Sequence, residues 1–200
     1  MRAEAGLMHA TMGSDAIAEA SEAAADLDRR FATFVRTHRD RAWRLAWRLL
    51  KGDDAAADDV TQDALVRAYR ALASFREESK LETWFFRILV RQVESHRRWK
   101  AVRDLWTASE ESDAADPRAR ADSDPLVRRR IVRALDRLSA TQRAAFVMVH
   151  LEGFSVRETA EVLGKAEGTV KSHLHRARKR MRTAIESSKS MHLQALEAMS

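Results

Sequence analysis

Cysteine is absent from the 200-residue chain, which excludes disulfides, thiolate-held metals and thiol nucleophiles. Only 6 glycines and 2 prolines punctuate it, and Val and Ile are sparse beside Ala, Leu and Arg. Few positions therefore force a helix to stop, and little favours strands. No apolar run approaches the roughly 18 residues of a membrane-spanning helix. The N-terminus also lacks the basic-then-apolar pattern of a signal peptide. The glycines are scattered, so no phosphate-cradling loop is present. Seven histidines contain no His-Glu-x-x-His, and His173 and His175, two apart, point about 200° apart around a helix. The acids Asp58, Asp59 and Asp63 lack partners that would organise a metal or acid/base site, and fit a solvated or partner-binding face. These absences predict an all-helical, cytoplasmic protein without membrane insertion, bound cofactor or catalytic constellation.

What the chain has is charge, unevenly spread. Lys+Arg number 36 against 30 Asp+Glu, for a net +6 and a pI near 10.1. A basic balance of this kind suits a polyanionic partner such as nucleic acid. Residues 1–28 hold six acids against Arg2, and Ser109–Asp124 holds six acids against Arg118 and Arg120. Both stretches are rich in Ala, Ser and Asp and have little apolar bulk to bury, so they predict a disordered arm and a flexible acidic linker. The basic excess then concentrates at His96–Arg103 and Lys171–Arg182. Two basic clusters flanking an acidic linker predict two contacts with one long polyanion.

The segment 29–103 carries three amphipathic patterns. Phe31, Phe34, Val35, His38, Ala42, Leu45, Ala46 and Leu49 form the first stripe. Gly52-Asp53-Asp54 supplies a C-cap glycine and an N-cap aspartate. Val60, Ala64, Leu65, Ala68, Tyr69 and Leu72 stripe the second helix, leaving Asp59, Gln62, Asp63 and Arg67 on another face. The third pattern runs from about Lys80 to Trp99, with Leu81, Trp84, Phe85, Ile88, Leu89, Gln92 and His96 on its inner side. Phe86 and Val90 fall off that stripe and suit a neighbouring helix or a partner surface. Basic residues near Trp84, Phe85, Phe86 and Trp99 match the chemistry of single-strand binding, in which bases stack on rings and cations hold phosphates.

The segment 125–186 reads as a helix-turn-helix domain. Asp124-Pro125 is an N-cap followed by proline at the first helical position. Ser139-Ala-Thr-Gln142 and Ser155-Val-Arg-Glu158 are capping boxes. Gly153 and Gly164 end the helices that these boxes open. In the last helix Val170, Leu174, Ala177 and Met181 make an inner stripe. Thr169, Lys171, Ser172, His175, Arg176, Arg178, Lys179, Arg180 and Arg182 point outward. Lys165–Arg182 holds seven bases and one acid. A second helix with a basic outer face is what major-groove reading requires. Residues 187–200 form a tail with a weak Leu/Met stripe, suiting either a frayed end or one more helix.

These residues carry a resemblance. Asp59-Val-Thr-Gln-Asp-Ala-Leu-Val-Arg-Ala-Tyr69, Phe75-Arg-Glu-Glu-Ser79 and Glu82-Thr-Trp-Phe-Phe-Arg-Ile88 resemble conserved region 2 of bacterial RNA polymerase sigma factors. Glu152-Gly-Phe-Ser-Val-Arg-Glu-Thr-Ala-Glu-Val-Leu-Gly164 and Gly168-Thr-Val-Lys-Ser-His-Leu-His-Arg-Ala-Arg178 resemble region 4. Having only these two regions is similar to the extracytoplasmic-function group. The resemblance implies two small helical domains, a three- to four-helix bundle at 29–103 and a helix-turn-helix domain at 125–186, joined by the linker 104–124. It implies a non-enzymatic promoter-specificity subunit. Asp59, Gln62, Asp63 and Arg67 would dock on the clamp helices of the polymerase large subunit. Ser79, Lys80, Trp84, Arg91, Arg97 and Arg98 would open and read the −10 element. Thr169, Lys171, Ser172, His175, Arg176, Arg178 and Lys179 would read the −35 element, with region 4 also touching the polymerase flap. An anti-sigma factor is the implied inhibitory partner. The chain departs from the family pattern at Glu77, Arg91, Ser95 and Lys165-Ala166, where Gly, Asn, Asp and Ile-Ser are usual. A stand-alone helix-turn-helix regulator, binding duplex operators without polymerase, is the alternative reading.

Overall fold

A computed structural model of the chain describes residues 4–75, 79–106 and 125–197, and side-chain surroundings from Ser21 onward for most of them. The described residues form seven α-helices and no strand. They are α1 (Glu4–Leu49), α2 (Asp54–Ala71), α3 (Leu81–Trp106), α4 (Pro125–Asp136), α5 (Ala140–Phe146), α6 (Val156–Leu163) and α7 (Glu167–Glu197). A 3₁₀ turn, Leu72–Ser74, follows α2, and a π-helical turn, Val147–Leu151, continues α5.

The expected arm departs from its sequence reading: residues 4–28 extend α1. Alanine is the best helix former, and lengthening an existing helix avoids the unfavourable nucleation step. The end of this extension is tied to the body, where the Tyr69 hydroxyl donates to Asp28 Oδ1 at 2.9 Å. The expected tail likewise continues α7 as helix to Glu197, and α3 runs on to Trp106, past its expected end. Most of the expected linker, 107–124, lies outside the described residues, as does the Asp124 cap.

The turn between α1 and α2 follows its sequence. Gly52 sits at φ +86, and Asp53 caps α2 by accepting from the Ala56 amide at 3.0 Å. Gly52 is required for a second reason: a Cβ there would lie 2.8 Å from Val132 Cγ2, so α4 packs directly on this turn. Both expected capping boxes form, at Ser139/Gln142 and at Ser155/Glu158. Gly164 closes α6 in the left-handed conformation, at φ +60. Ala166 offers α7 no capping side chain; its carbonyl accepts from Thr169 and Val170.

The main core brings α1, α2 and α3 together around Leu45, Ala46, Val60, Ala64, Phe85, Leu89 and Val93. It does not end at that bundle. Leu135, Leu138, Val147, Met148, Phe154 and Ala177 from the second segment join the same cluster. This union explains two differences from the stripe reading. Phe86 and Val90, off the expected stripe, are buried, and Phe86 meets the Phe154 ring edge-on at 5.0 Å. Trp43 and Trp47, outside the α1 stripe, are also buried and stack 6.2 Å apart, with Arg128 of α4 lying over the Trp47 ring at 4.7 Å. Tyr69, expected inside, is half exposed. A smaller cluster of Ala145, Ala160, Val170 and Leu174 holds the helix-turn-helix itself.

Candidate nucleic-acid and polymerase interfaces

The α2 face is built by periodicity. Ala57, Val60, Thr61, Ala64 and Ala68 are buried, so Asp59, Gln62, Asp63 and Arg67 are turned outward, and all four are exposed. Beside them is a cleft of about 360 Å³ lined by Arg39, Trp43, Asp54, Asp58, Thr61, Gln62 and Leu65. The buried Thr61 hydroxyl makes no hydrogen bond. The contribution of Arg39, Thr61 and Leu65 was not visible in the sequence, because it depends on how α1 lies beside α2.

The −10 set is divided. Arg91, Arg97 and Arg98 are exposed on α3, whereas Ser79 and Trp84 are half-buried and Trp84 lies 5.0 Å from the Phe75 ring. Lys80 donates to Glu158 Oε1 of α6 at 2.9 Å. That pairing draws the Lys80 ammonium up. Its partner Glu158 is held at about 2 by Lys80 first and by the Ser155 amide and hydroxyl of the capping box. Sequence reasoning missed Arg87, whose Nε donates to the Glu161 carbonyl at 3.2 Å. It also missed an exposed apolar ridge at the end of α3, Trp99, Val102, Leu105 and Trp106, with the Arg103 guanidinium 4.6 Å from the Trp99 ring.

The −35 set is together. Val170, Leu174 and Ala177 are buried, and Thr169, Lys171, Ser172, His175, Arg176, Arg178 and Lys179 are all exposed on α7. Arg137, Gln142, Arg176, Lys179, Arg180 and Thr183 line a basic cleft of about 560 Å³ beside this face. Arg137 was not predicted; α4 brings it alongside α7, where Arg180 donates to its carbonyl at 3.3 Å. His173 is half-buried, and burial, with Arg176 and Lys165 nearby, lowers its pKa. An uncharged imidazole on this rim leaves the positive charge to Arg and Lys.

One charged cluster joins the halves. Glu152 is buried and ion-pairs with Arg48 and, with Arg41 Nε at 3.6 Å, with Arg41. Arg41 also pairs with Glu82 of α3 and lies 4.2 Å from the Phe154 ring centroid. Burial pushes the Glu152 carboxyl up, against the pull of Arg48, Arg44 and Arg41. Among the described residues, no group of three or more His, Asp or Glu could hold a metal ion, and no helix is long and apolar enough to cross a membrane.

Known proteins share this arrangement. The family described as Sigma-70 region 2 matches residues 34–102, and that described as Sigma-70, region 4 matches residues 128–181. The ECF RNA polymerase sigma factor SigM of Mycobacterium tuberculosis is 37% identical over 151 residues, covering 76% of this chain and 74% of that protein. The chain belongs to the extracytoplasmic-function sigma factors. The RNA polymerase sigma-E factor of Streptomyces avermitilis is 32% identical to this sigma factor over 167 residues, covering 84% and 90% of the two chains. The sigma factor RpoE, solved in complex with the anti-sigma factor NepR from Bartonella quintana, superposes with a TM-score of 0.66 at 31% identity. The match covers 79% of this sigma factor and 98% of RpoE. CnrH, solved with the cytosolic domain of CnrY, gives 0.61 at 25% identity, covering 80% and 90%.

Proposed function

We propose that this sigma factor binds core RNA polymerase through the α2 face and reads the −35 element with α7 and the −10 element with α3. It confers promoter specificity in the cytoplasm by binding and catalyses no reaction of its own. The observation that carries this reading is the exposed basic face of α7. It follows a capped, left-handed glycine turn and leaves the side chains of the second helix available to a duplex. Thr169, Ser172 and His175 suit base edges near the helix start, and Arg176, Arg178 and Lys179 suit phosphates. Asp59, Gln62, Asp63 and Arg67 suit the clamp helices of the large subunit, and region 4 its flap. Ser79, Lys80, Trp84, Arg91, Arg97 and Arg98 suit the melted −10 strand. An anti-sigma factor is the inhibitory partner that fits this reading, as one accompanies RpoE.

Run-off transcription with core polymerase and a promoter library tests the proposal. Specific transcripts are expected only when both proteins are present. Specific operator binding at equal affinity without polymerase would instead establish the stand-alone regulator. Asp63→Arg should weaken polymerase binding by about 2 kcal/mol or more, as charge reversal at a close contact does. Its helicity should be unchanged, because Asp63 is exposed. Lys179→Ala should weaken −35 binding across sequences and reduce the salt slope by about one.

A further inference from the structure

The outward face of α3 continues past the last of its proposed −10 residues. Arg91, Ser95, Arg98, Val102 and Leu105 follow one another at alternate steps of four and three, so they form one stripe along the helix. All five are exposed. Trp99 and Trp106 border the last two turns of that stripe. This end of the helix is apolar and open: Trp99 is 58% exposed, Val102 54%, Leu105 84% and Trp106 85%. Tryptophan carries a large apolar payload and is buried on average, so two of them in solvent on one helix end call for a partner. The family match to region 2 ends at residue 102, and Leu105 and Trp106 lie beyond it.

The chemistry around the ridge selects its partner. His96–Arg103 holds Arg97, Arg98, Lys100 and Arg103 and no acid. A second copy of the chain would set these cations against their own kind, which disfavours self-association here. Residues 107–124 follow directly, but among them no apolar side chain is bulkier than Pro117, too little to cover two indoles. A strand of nucleic acid meets both demands at once, because bases stack on exposed rings and phosphates pair with the cations beside them. The spacing agrees. Trp99 and Trp106 are seven residues apart, about 10.5 Å along a helix, and three stacked base steps span about 10 Å. The Arg103 guanidinium lies over the Trp99 ring at 4.6 Å. A planar cation thus already uses one face of that indole, and a base on the other face would complete a three-layer stack.

Resting on the function proposed above, we infer that Trp99 and Trp106 extend the −10 site by stacking on unpaired bases that flank the element, with Arg98 and Arg103 on the adjoining phosphates. The ridge lengthens the track that Arg91, Arg97 and Arg98 begin and adds grip where the strand leaves it. Stacking tolerates any base identity, since every base has a π-face, but it requires that a base be there. The contact is therefore blind to most sequence changes in the flank and sensitive to loss of the base itself.

The test uses the full chain with core polymerase and a promoter recovered from the run-off library. Its forked form is single-stranded through the −10 element and a few bases on either side. Trp99→Ala combined with Trp106→Ala should keep the wild-type helicity and melting temperature, because both side chains stand in solvent. It should bind the forked template about tenfold or more weaker, within the range for loss of a base–aromatic stack. Abasic sites placed in the flank should cost the wild type a similar factor and cost the double variant nothing, because the same contact cannot be lost twice. Trp99→Phe combined with Trp106→Phe should stay within about threefold of the wild type, since a ring remains at each position. Three results would overturn the proposal while leaving the sigma function standing. The first is equal affinity of the alanine variant and the wild type for the forked template. The second is an alanine variant that loses as much as the wild type at abasic sites, or a phenylalanine variant as weak as the alanine one. The third is a loss of affinity for core polymerase without DNA, which would give the ridge to a protein surface instead. Wild type that yields no specific transcript from any library member would overturn the sigma function itself.

Discussion

The two halves of the molecule hold their folds by different means. Region 2 is built on bulk: Phe34, Trp43, Leu45, Trp47, Phe85, Phe86 and Leu89 are all buried in one cluster. The private core of region 4 is Ala145, Ala160, Val170 and Leu174, far smaller in area. Region 4 compensates with local devices, two complete capping boxes and a left-handed glycine, and with Met148 and Phe154 pressed onto its neighbour. A thin, capped domain leaves the outer face of α7 exposed from Thr169 to Lys179. Its stability is correspondingly borrowed from contacts with region 2.

This contrast can be broken or sharpened by substitution. The largest loss should come from the thick core: Phe85→Ala, at a site with no exposure, should destabilise by about 4 kcal/mol. Calorimetry should show that loss in the transition of region 2. Next comes the junction. Glu152→Ala leaves Arg41 and Arg48 facing each other without their shared carboxylate, and should remove about 3 kcal/mol. Urea unfolding followed separately in each half should show region 4 suffering more, because it has less core of its own. Ser155→Ala tests the caps and should remove about 1 kcal/mol. Ser139→Ala should remove less, because its oxygen lies 3.5 Å from the Gln142 amide, against 3.1 Å for Ser155 and Glu158.

The smallest effect is a pH dependence. Glu158 is held at about 2 against an ordinary 4.5. A depressed carboxyl contributes stability above its unfolded value and loses it as pH falls through the folded one. Wild type and Glu158→Gln should therefore differ at neutral pH by less than about 1 kcal/mol, since the Lys80 partner is solvated. That difference should shrink between pH 4.5 and 2. Acid unfolding curves that stay parallel through this window would remove the Lys80–Glu158 pair from the account.

What the sequence disclosed follows the same division. Caps, the Gly52 and Gly164 turns and the inner stripe of α7 are local, and each was legible because neighbouring residues suffice to produce it. The α2 and α7 faces were legible as the residues left over from a buried stripe. The burial of Trp47 under Arg128 was not, and for Phe86 and Val90 a neighbouring helix and a partner surface both stayed open, because the Phe154 ring that meets Phe86 comes from a half of the chain that is distant in sequence. Lys80 and Trp84 read correctly as residues of one helix start, but nothing local announces that α6 lies over them. Residues 4–28 misled for another reason: their acidity suggested disorder, while their alanines and their continuity with an anchored helix favour α1.

The five tryptophans give this architecture an optical signature. Trp43 and Trp47 are stacked and buried with a guanidinium over the pair, Trp84 is half-covered, and Trp99 and Trp106 stand in solvent. Emission should therefore separate into a blue, shielded component from α1 and a red component from the end of α3 that acrylamide quenches readily. Arg128, which covers the Trp47 ring, belongs to α4. Withdrawal of region 4 would strip that cation from the ring and let quencher reach it. The intrinsic fluorescence of the unlabelled protein thus reports on the contact between its halves, in real time and without a dye.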